Sequence, residues 1–255
     1  APIAAAALAS APEDVLLVLP ADHDIRDVDA FHEAIGKGFD ALEPGVITTF
    51  GIVARTPETG YGYIDAAGRH GGVRQVQRFV EKPDLETAKA YVEAGNFFWN
   101  AGIFMFRAGD MVAAFRASAS DILEAVRAAL PDGFGPPKAP AAGLLNADAF
   151  SQCRAESVDY AILEHHDGLK VVPVEMGWSD IGSFRALWER SAKDEGGNVL
   201  MGDVKATGCR DSYIRAVDGQ ISVSGLEGAI VVKAGDDVVV RTMDEVQETG
   251  GVAGR

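Results

Sequence analysis

The chain has 255 residues, of which 47% are hydrophobic and 24% charged, and its 23 basic and 38 acidic side chains leave a formal net charge of −15. That length supports a sizeable core in one large domain or two small ones, while the acidic balance argues against DNA, RNA or an anionic membrane as the main partner. Cys153 and Cys209 are the only cysteines and show neither CxxC spacing nor a Cys/His cluster, which excludes a disulfide framework or zinc motif and points to a cytoplasmic setting.

Ala1–Ala11 is alanine-rich and reads as the later part of a helix. It has no basic leading region of the kind a signal peptide needs. With no initiator Met, the chain reads as starting inside a longer sequence. No apolar run reaches the roughly 18 residues of a membrane span. Val15–Leu19 predicts a strand buried on both faces of a parallel sheet. Asp22 follows its carboxyl end, where open α/β sheets place ligands. Asp27 predicts an N-cap for a helix through Phe39. Gly36–Ala41 matches GxGxxA, but it closes a helical pattern instead of following a strand, so it is not a dinucleotide fingerprint. Val46–Val53 is the next strand. Thr56–Tyr63 is a turn-rich loop whose glycines suit either a hairpin-like turn or a segment closing on a ligand.

Val73–Val80 predicts another strand, followed by a helix with Asp84 as N-cap and Gly95 at its end. Phe97–Phe106 reads as a strand too aromatic for the surface. These two strands carry polar residues where apolar ones would be expected. Glu81 and Lys82 end the first, before a proline that cannot continue a ladder. Asn100 interrupts the second, and its buried amide needs a partner in the protein or in a ligand. Met111–Leu130 predicts one amphipathic helix, Pro131–Asn146 an irregular insertion, Ser157 a helix start and Lys170–Val174 a strand. Gly177–Ser183 forms a tight loop leading into a helix over Phe184–Arg190. Asp180 in that loop is either a helix cap or a metal ligand. From residue 196 onward, short β-rich runs alternate with Asp/Gly turns. The expected division is therefore an α/β domain over 1–195, with a mainly parallel sheet, and a small β-rich domain over 196–255.

The candidate residues gather at strand ends: Asp22, the loop around Gly62 and Tyr63, Glu81, Lys82, Asn100 and Asp180. Two aspartates suit Mg²⁺, which prefers few carboxylates plus substrate phosphate oxygens. Lys82 offers a point cation for a phosphate. A sugar phosphate fits this set, with amide and carboxylate for hydroxyls.

Five blocks carry a resemblance: Leu19–His23, Phe50–Ile64, Phe79–Pro83, Trp99–Phe104 and Gly177–Ser183. In this order they resemble the mannose-1-phosphate guanylyltransferase (GDP-mannose pyrophosphorylase) family over nearly the whole chain. The resemblance implies a GT-A-like, Rossmann-like nucleotidyltransferase domain followed by a small β domain. It further implies that GTP and α-D-mannose 1-phosphate give GDP-mannose and pyrophosphate. Asp22 and Asp180 would hold Mg²⁺, Lys82 the sugar phosphate, and Glu81 and Asn100 the sugar hydroxyls, with the backbone around Gly62 and Tyr63 closing over the sugar. The family's Gly-Gly-x-Gly-Thr-Arg-Leu loop, which grips the triphosphate, has no counterpart here, so the chain is expected to carry the sugar-phosphate and metal side of the site. Strand edges left uncovered by that absence point to association, as a homodimer. Two alternatives stay open: a non-catalytic sugar-phosphate-binding or regulatory paralogue, and a nucleotidyltransferase for another base or sugar.

Overall fold

The computed structural model describes residues 1–66, 72–131 and 145–243. Most of the insertion expected over 131–146 lies outside them. The chain divides into two compact units, Ala1–Ala21 with Ile25–Trp178, and Asp22–Asp24 with Ser179–Arg255.

The first unit contains strands β1 (Val15–Val18), β2 (Ile47–Val53), β3 (Tyr63–Ala66), β4 (Arg74–Val80), β5 (Phe97–Arg107) and β6 (Leu169–Pro173). Its helices are α1 (Pro2–Ala9), α2 (Val28–Asp40), α3 (Leu85–Ala94), α4 (Ala108–Ser118), α5 (Ser120–Ala129), α6 (Ala147–Ser151) and α7 (Val158–Ala161). The strands form one sheet in the order β1-β5-β2-β6-β4-β3, and β3 also pairs with β5. The α/β class is as expected, but the strand directions are mixed. β1, β2, β3 and β6 run one way and β4 and β5 run against them, so β2–β6 is the one parallel pairing among the described strands of this sheet. A mainly parallel ladder is corrected to this mixed one, because β5 returns through the middle of the sheet and separates β1 from β2.

Both faces of the sheet are covered, which is why its strands read as apolar runs without alternation. On one face Ile47, Phe104, Phe106 and Val171 pack with Met111, Phe115, Ile122 and Val126 of α4 and α5. On the other, Phe50, Ile103, Met105 and Val172 pack with Phe31 and Ala34 of α2. β1 is only half-buried along its length, in contrast to the expectation, because β5 is its one neighbour among the described strands. The caps fall where the sequence placed them: Asp27 accepts from Ala30 N, Asp84 accepts from Thr87 N, and Gly95 takes the left-handed conformation. The single helix expected over Met111–Leu130 is two, broken at Ala119 (φ −148°, ψ 55°).

The second unit contains α8 (Phe184–Arg190), β7 (Val199–Thr207), β8 (Tyr213–Ser224), β9 (Ala229–Ala234) and β10 (Asp237–Thr242). β7, β8 and β9 are parallel and stepped in register, Val199 beside Tyr213 and Tyr213 beside Ile230, and β10 closes the sheet antiparallel to β9. Phe184, Leu187 and Trp188 of α8 pack on Val199, Tyr213, Ile230 and Val232. That packing moves the division from residue 196 to the Trp178–Ser179 step. Buried polar groups tie the successive strands together. Asn198 Oδ1 accepts from Ser212 N, its Nδ2 donates to Cys209 O, and Ser212 Oγ accepts from Ala229 N.

Replacing Asn198 by Ala leaves Ser212 N and Cys209 O without that amide, and a buried unsatisfied group costs about 1–3 kcal/mol. Urea unfolding of Asn198→Ala is therefore expected to show a loss of about 2–3 kcal/mol. A loss within about 0.5 kcal/mol, typical of a surface change, would show that the amide does not tie the strands.

Candidate functional site

The first unit holds a polar cluster built around a bulge in β5. Thr49 of β2 pairs with Phe104 but Gly51 pairs with Asn100, so β5 bulges over Ala101–Ile103. Gly102 takes φ 69° to allow it. Such bulges re-aim side chains, and here the bulge turns Asn100. Asn100 Oδ1 accepts from Gly102 N at 3.2 Å and from Thr49 Oγ1 at 3.1 Å. Asn100 Nδ2 donates to Asp159 Oδ1 at 3.0 Å. The amide's partner is thus partly supplied by the protein, and only one of its two N–H bonds is used by Asp159.

Glu81 stands beside this amide. A Cβ on Gly62 would lie 2.5 Å from Glu81 Oε2 and 3.3 Å from Asn100 Cβ, so a side chain there would push the Glu81 carboxyl from its place. Gly62 O accepts from Asn100 N at 2.8 Å, and Lys82 N donates to Tyr61 O at 3.2 Å. These bonds pin the loop of Gly62 against the ends of β4 and β5. The Glu81 side chain is 11% exposed, and Lys82, whose Nζ lies 3.8 Å from Glu81 Oε1, is 59% exposed. Lys82 has φ 47°, an uncommon left-handed backbone for a residue preceding proline. Strain of this kind collects at functional sites.

The cluster is rich in carboxylates. Burial and then the Asp159 charge push the Glu81 carboxyl up to about 7, with Lys82 pulling the other way and Glu164 adding to the rise. Asp159 is itself raised, chiefly by burial, against hydrogen bonds from its own backbone, Ser157 and Asn100. A mostly buried carboxyl pushed up toward neutrality beside other polar groups is a functional candidate. Tyr63 does not join it. Its side chain is fully buried with Ala54, Tyr91 and Phe97, because the residue opens β3 instead of ending a loop.

Asp22 and Asp180 fall in the second unit. Asp24 and Ser179 exchange backbone hydrogen bonds at 2.8 and 3.0 Å, which brings the 22–24 segment alongside the 179–182 loop. Arg190 reinforces this through Asp24 Oδ2 at 2.9 Å. Ser183, accepting from Ala186 N, is the cap of α8. Asp180 is not. Its Oδ1 accepts from Gly182 N at 3.1 Å, and a Cβ on Gly182 would lie 2.7 Å from its Oδ2. The neighbouring Ile181 has φ 50°, a strained conformation for a β-branched residue. Among the described residues no group of three or more His, Cys, Asp or Glu is placed to hold a metal ion. The donors in hand are two hard carboxylates, which fit Mg²⁺ completed by water and phosphate oxygens. Among the same residues no helix is long and apolar enough to cross a membrane.

Asp159, Thr49 and Glu164 carry no sequence signal for a site: Asp159 is an acid in the first turn of a helix, and Thr49 is one of two threonines in an apolar strand. A buried carboxylate opposite Asn100 has no short-range signal.

Residues 1–197 match the family described as nucleotidyl transferase. A mannose-1-phosphate guanylyltransferase of Escherichia coli K12 is 42% identical over 96% of this chain and 53% of its own length. The chain spans about half the length of the curated relatives it matches. Two solved structures are also similar. One, titled a mannose-1-phosphate geranyltransferase from Thermus thermophilus, has a TM-score of 0.75 at 31% identity and covers 91% of this chain and 66% of its own. The other, titled a mannose-6-phosphate isomerase from Helicobacter pylori, has a TM-score of 0.61 at 32% identity over 69% of this chain and 68% of its own.

The raised Glu81 carboxyl has a consequence for stability. Its folded value of about 7 exceeds the ordinary 4.5, so the native state holds the proton more tightly than the unfolded chain. The stability this contributes is complete below about 4.5 and is lost as pH rises through about 7. The size is on the order of 2–3 kcal/mol. Glu81→Gln, which cannot ionise, is expected to gain stability relative to the unaltered chain as pH rises across that window. A stability difference that stays flat from pH 4 to 8 in thermal unfolding would refute the shift.

Proposed function

This chain belongs to the nucleotidyl transferase family, and from that premise we propose that it carries the sugar-phosphate and metal side of a mannose-1-phosphate guanylyltransferase. The observation that carries the reading is the Asn100–Glu81–Gly62 arrangement: a fixed amide with an N–H that takes no partner among the described residues, a carboxylate beside it, and a glycine that leaves that carboxyl its place. The identity to the E. coli guanylyltransferase over 96% of the chain supports the sugar and the base.

In this reading Glu81 accepts hydrogens from sugar hydroxyls when ionised, and the remaining N–H of Asn100 donates to a hydroxyl oxygen. Their hydrogen bonds are directional, so they fix the ring's orientation. Lys82, exposed beside Glu81, meets the phosphate as a point charge. The sugar-phosphate oxygen attacks the α-phosphorus of GTP in line, the bond from that phosphorus to the bridging oxygen breaks, and pyrophosphate leaves. Little covalent work falls to the protein. It positions the attacking oxygen and offsets charge. Enzymes of this family generally use a divalent ion. Asp22 and Asp180 would hold Mg²⁺, which when bound supplies positive charge against the phosphates.

The test uses a form of the protein that carries the family's glycine-rich, triphosphate-gripping segment together with this chain, supplied with Mg²⁺, all four nucleoside triphosphates, and either mannose 1-phosphate or glucose 1-phosphate. GDP-mannose is the expected product. Lys82→Gln should weaken mannose 1-phosphate binding by about 10-fold or more, the scale of a lost charge-assisted contact. Asp180→Asn should lower turnover with Mg²⁺ by about 100-fold, as expected for a metal ligand of the reaction. Binding of mannose 1-phosphate without turnover would favour the non-catalytic paralogue. Preference for another base or for glucose 1-phosphate would overturn the substrate assignment.

A further inference from the structure

Asp159 is absent from the roles assigned above, yet its side chain touches the central amide of the site. Asn100 Oδ1 faces Gly102 N, a group that can only donate, at 3.2 Å, while Nδ2 faces Asp159 Oδ1 at 3.0 Å. Rotating the amide by half a turn would set NH₂ against N–H and oxygen against a carboxylate, so these two neighbours select a single orientation. The groups that bear on Glu81 are Asp159 from α7, Glu164 from the single-turn helix over Leu163–His165, and Lys82 from its own segment. Glu164 Oε1 is engaged by the Glu81 backbone N at 3.4 Å, and Lys82 is largely exposed. Asp159 is the partly buried charge among them that also reaches Asn100.

We propose that Asp159 is a positioning residue for the sugar phosphate: it holds the Asn100 amide in the orientation that leaves an N–H for a sugar hydroxyl. The inference rests on the sugar-phosphate reading of this cluster. The charge of Asp159 and its hydrogen bond separate by substitution. Asp159→Asn keeps an oxygen for Asn100 Nδ2 but removes the charge, whereas Asp159→Ala removes both. The pH dependence of Glu81, to which burial and the Asp159 charge both contribute, responds to the first change. The orientation of Asn100 responds to the second.

The experiment titrates mannose 1-phosphate with Mg²⁺ into the full chain by calorimetry from pH 5.5 to 8.5, and follows the Glu81 carboxyl by ¹³C NMR in the ligand-free protein. Asp159→Asn is expected to move the acid limb of binding, and the Glu81 titration, to lower pH by about half a unit or more while leaving affinity at pH 8.5 within about 3-fold. Comparison with the unaltered chain cancels the ligand phosphate's own titration. Asp159→Ala is expected to lose about 10-fold in affinity at pH 8.5, and no further when Asn100→Ala is added. Additive losses in the double variant, or an Asp159→Ala affinity within about 2-fold of the unaltered chain at pH 8.5, would overturn the proposal. If the unaltered chain binds no mannose 1-phosphate, the sugar reading fails along with the positioning role.

Discussion

The bulge in β5 is the constraint on which the candidate site depends. An uninterrupted strand would place Asn100 in regular register with β2 and leave no spare donor there for a hydrogen bond. The extra residues between the Thr49–Phe104 and Gly51–Asn100 pairs require Gly102 to go left-handed. The N–H released by that distortion is satisfied by Asn100's own Oδ1. The side chain that repairs the bulge is therefore the one the bulge aims. Burial of the polar group and its function have the same cause.

Around this point the sheet is arranged so that β5 cannot shift. It pairs with β1, β2 and β3, and its side chains enter cores on both faces, Phe104 and Phe106 on one and Ile103 and Met105 on the other. A one-residue slip would exchange those faces. Close packing at both of them makes Asn100 a fixed reference, against which Gly62, Glu81 and Asp159 are set.

The chemistry of the cluster follows from its charges. Glu81, Asp159 and Glu164 adjoin a single lysine that points mostly to solvent. Glu81 and Asp159 are partly buried carboxylates, the exposed Glu164 adds to their repulsion, and together burial and these charges hold the Glu81 carboxyl up at about 7. Backbone strain is concentrated at the same places: Lys82 beside Glu81, and Ile181 beside Asp180. Both residues sit next to a side chain whose direction matters.

The sequence by itself determined the local features. Asp27, Asp84 and Gly95 bound their helices as expected because a cap depends on a few neighbouring residues. The apolar runs and the glycine-bearing blocks sufficed to identify the α/β class and the family, and Glu81, Lys82 and Asn100 stood out as polar residues in apolar strands. What only the tertiary structure decided is everything that needs two distant segments to meet. The reversed direction of β5 within the sheet could not be read from its composition, since a strand covered on both faces looks alike in either direction. Tyr63 went from loop to core because β3 pairs there with both β4 and β5. α8 joined the β-rich unit because its apolar face matches Tyr213 and Ile230, residues no local pattern links to it. Asp159 lies 59 positions from Asn100, and a hydrogen bond across that distance leaves no trace in the spacing of either residue. It exists only because packing brings α7 against the bulge of β5.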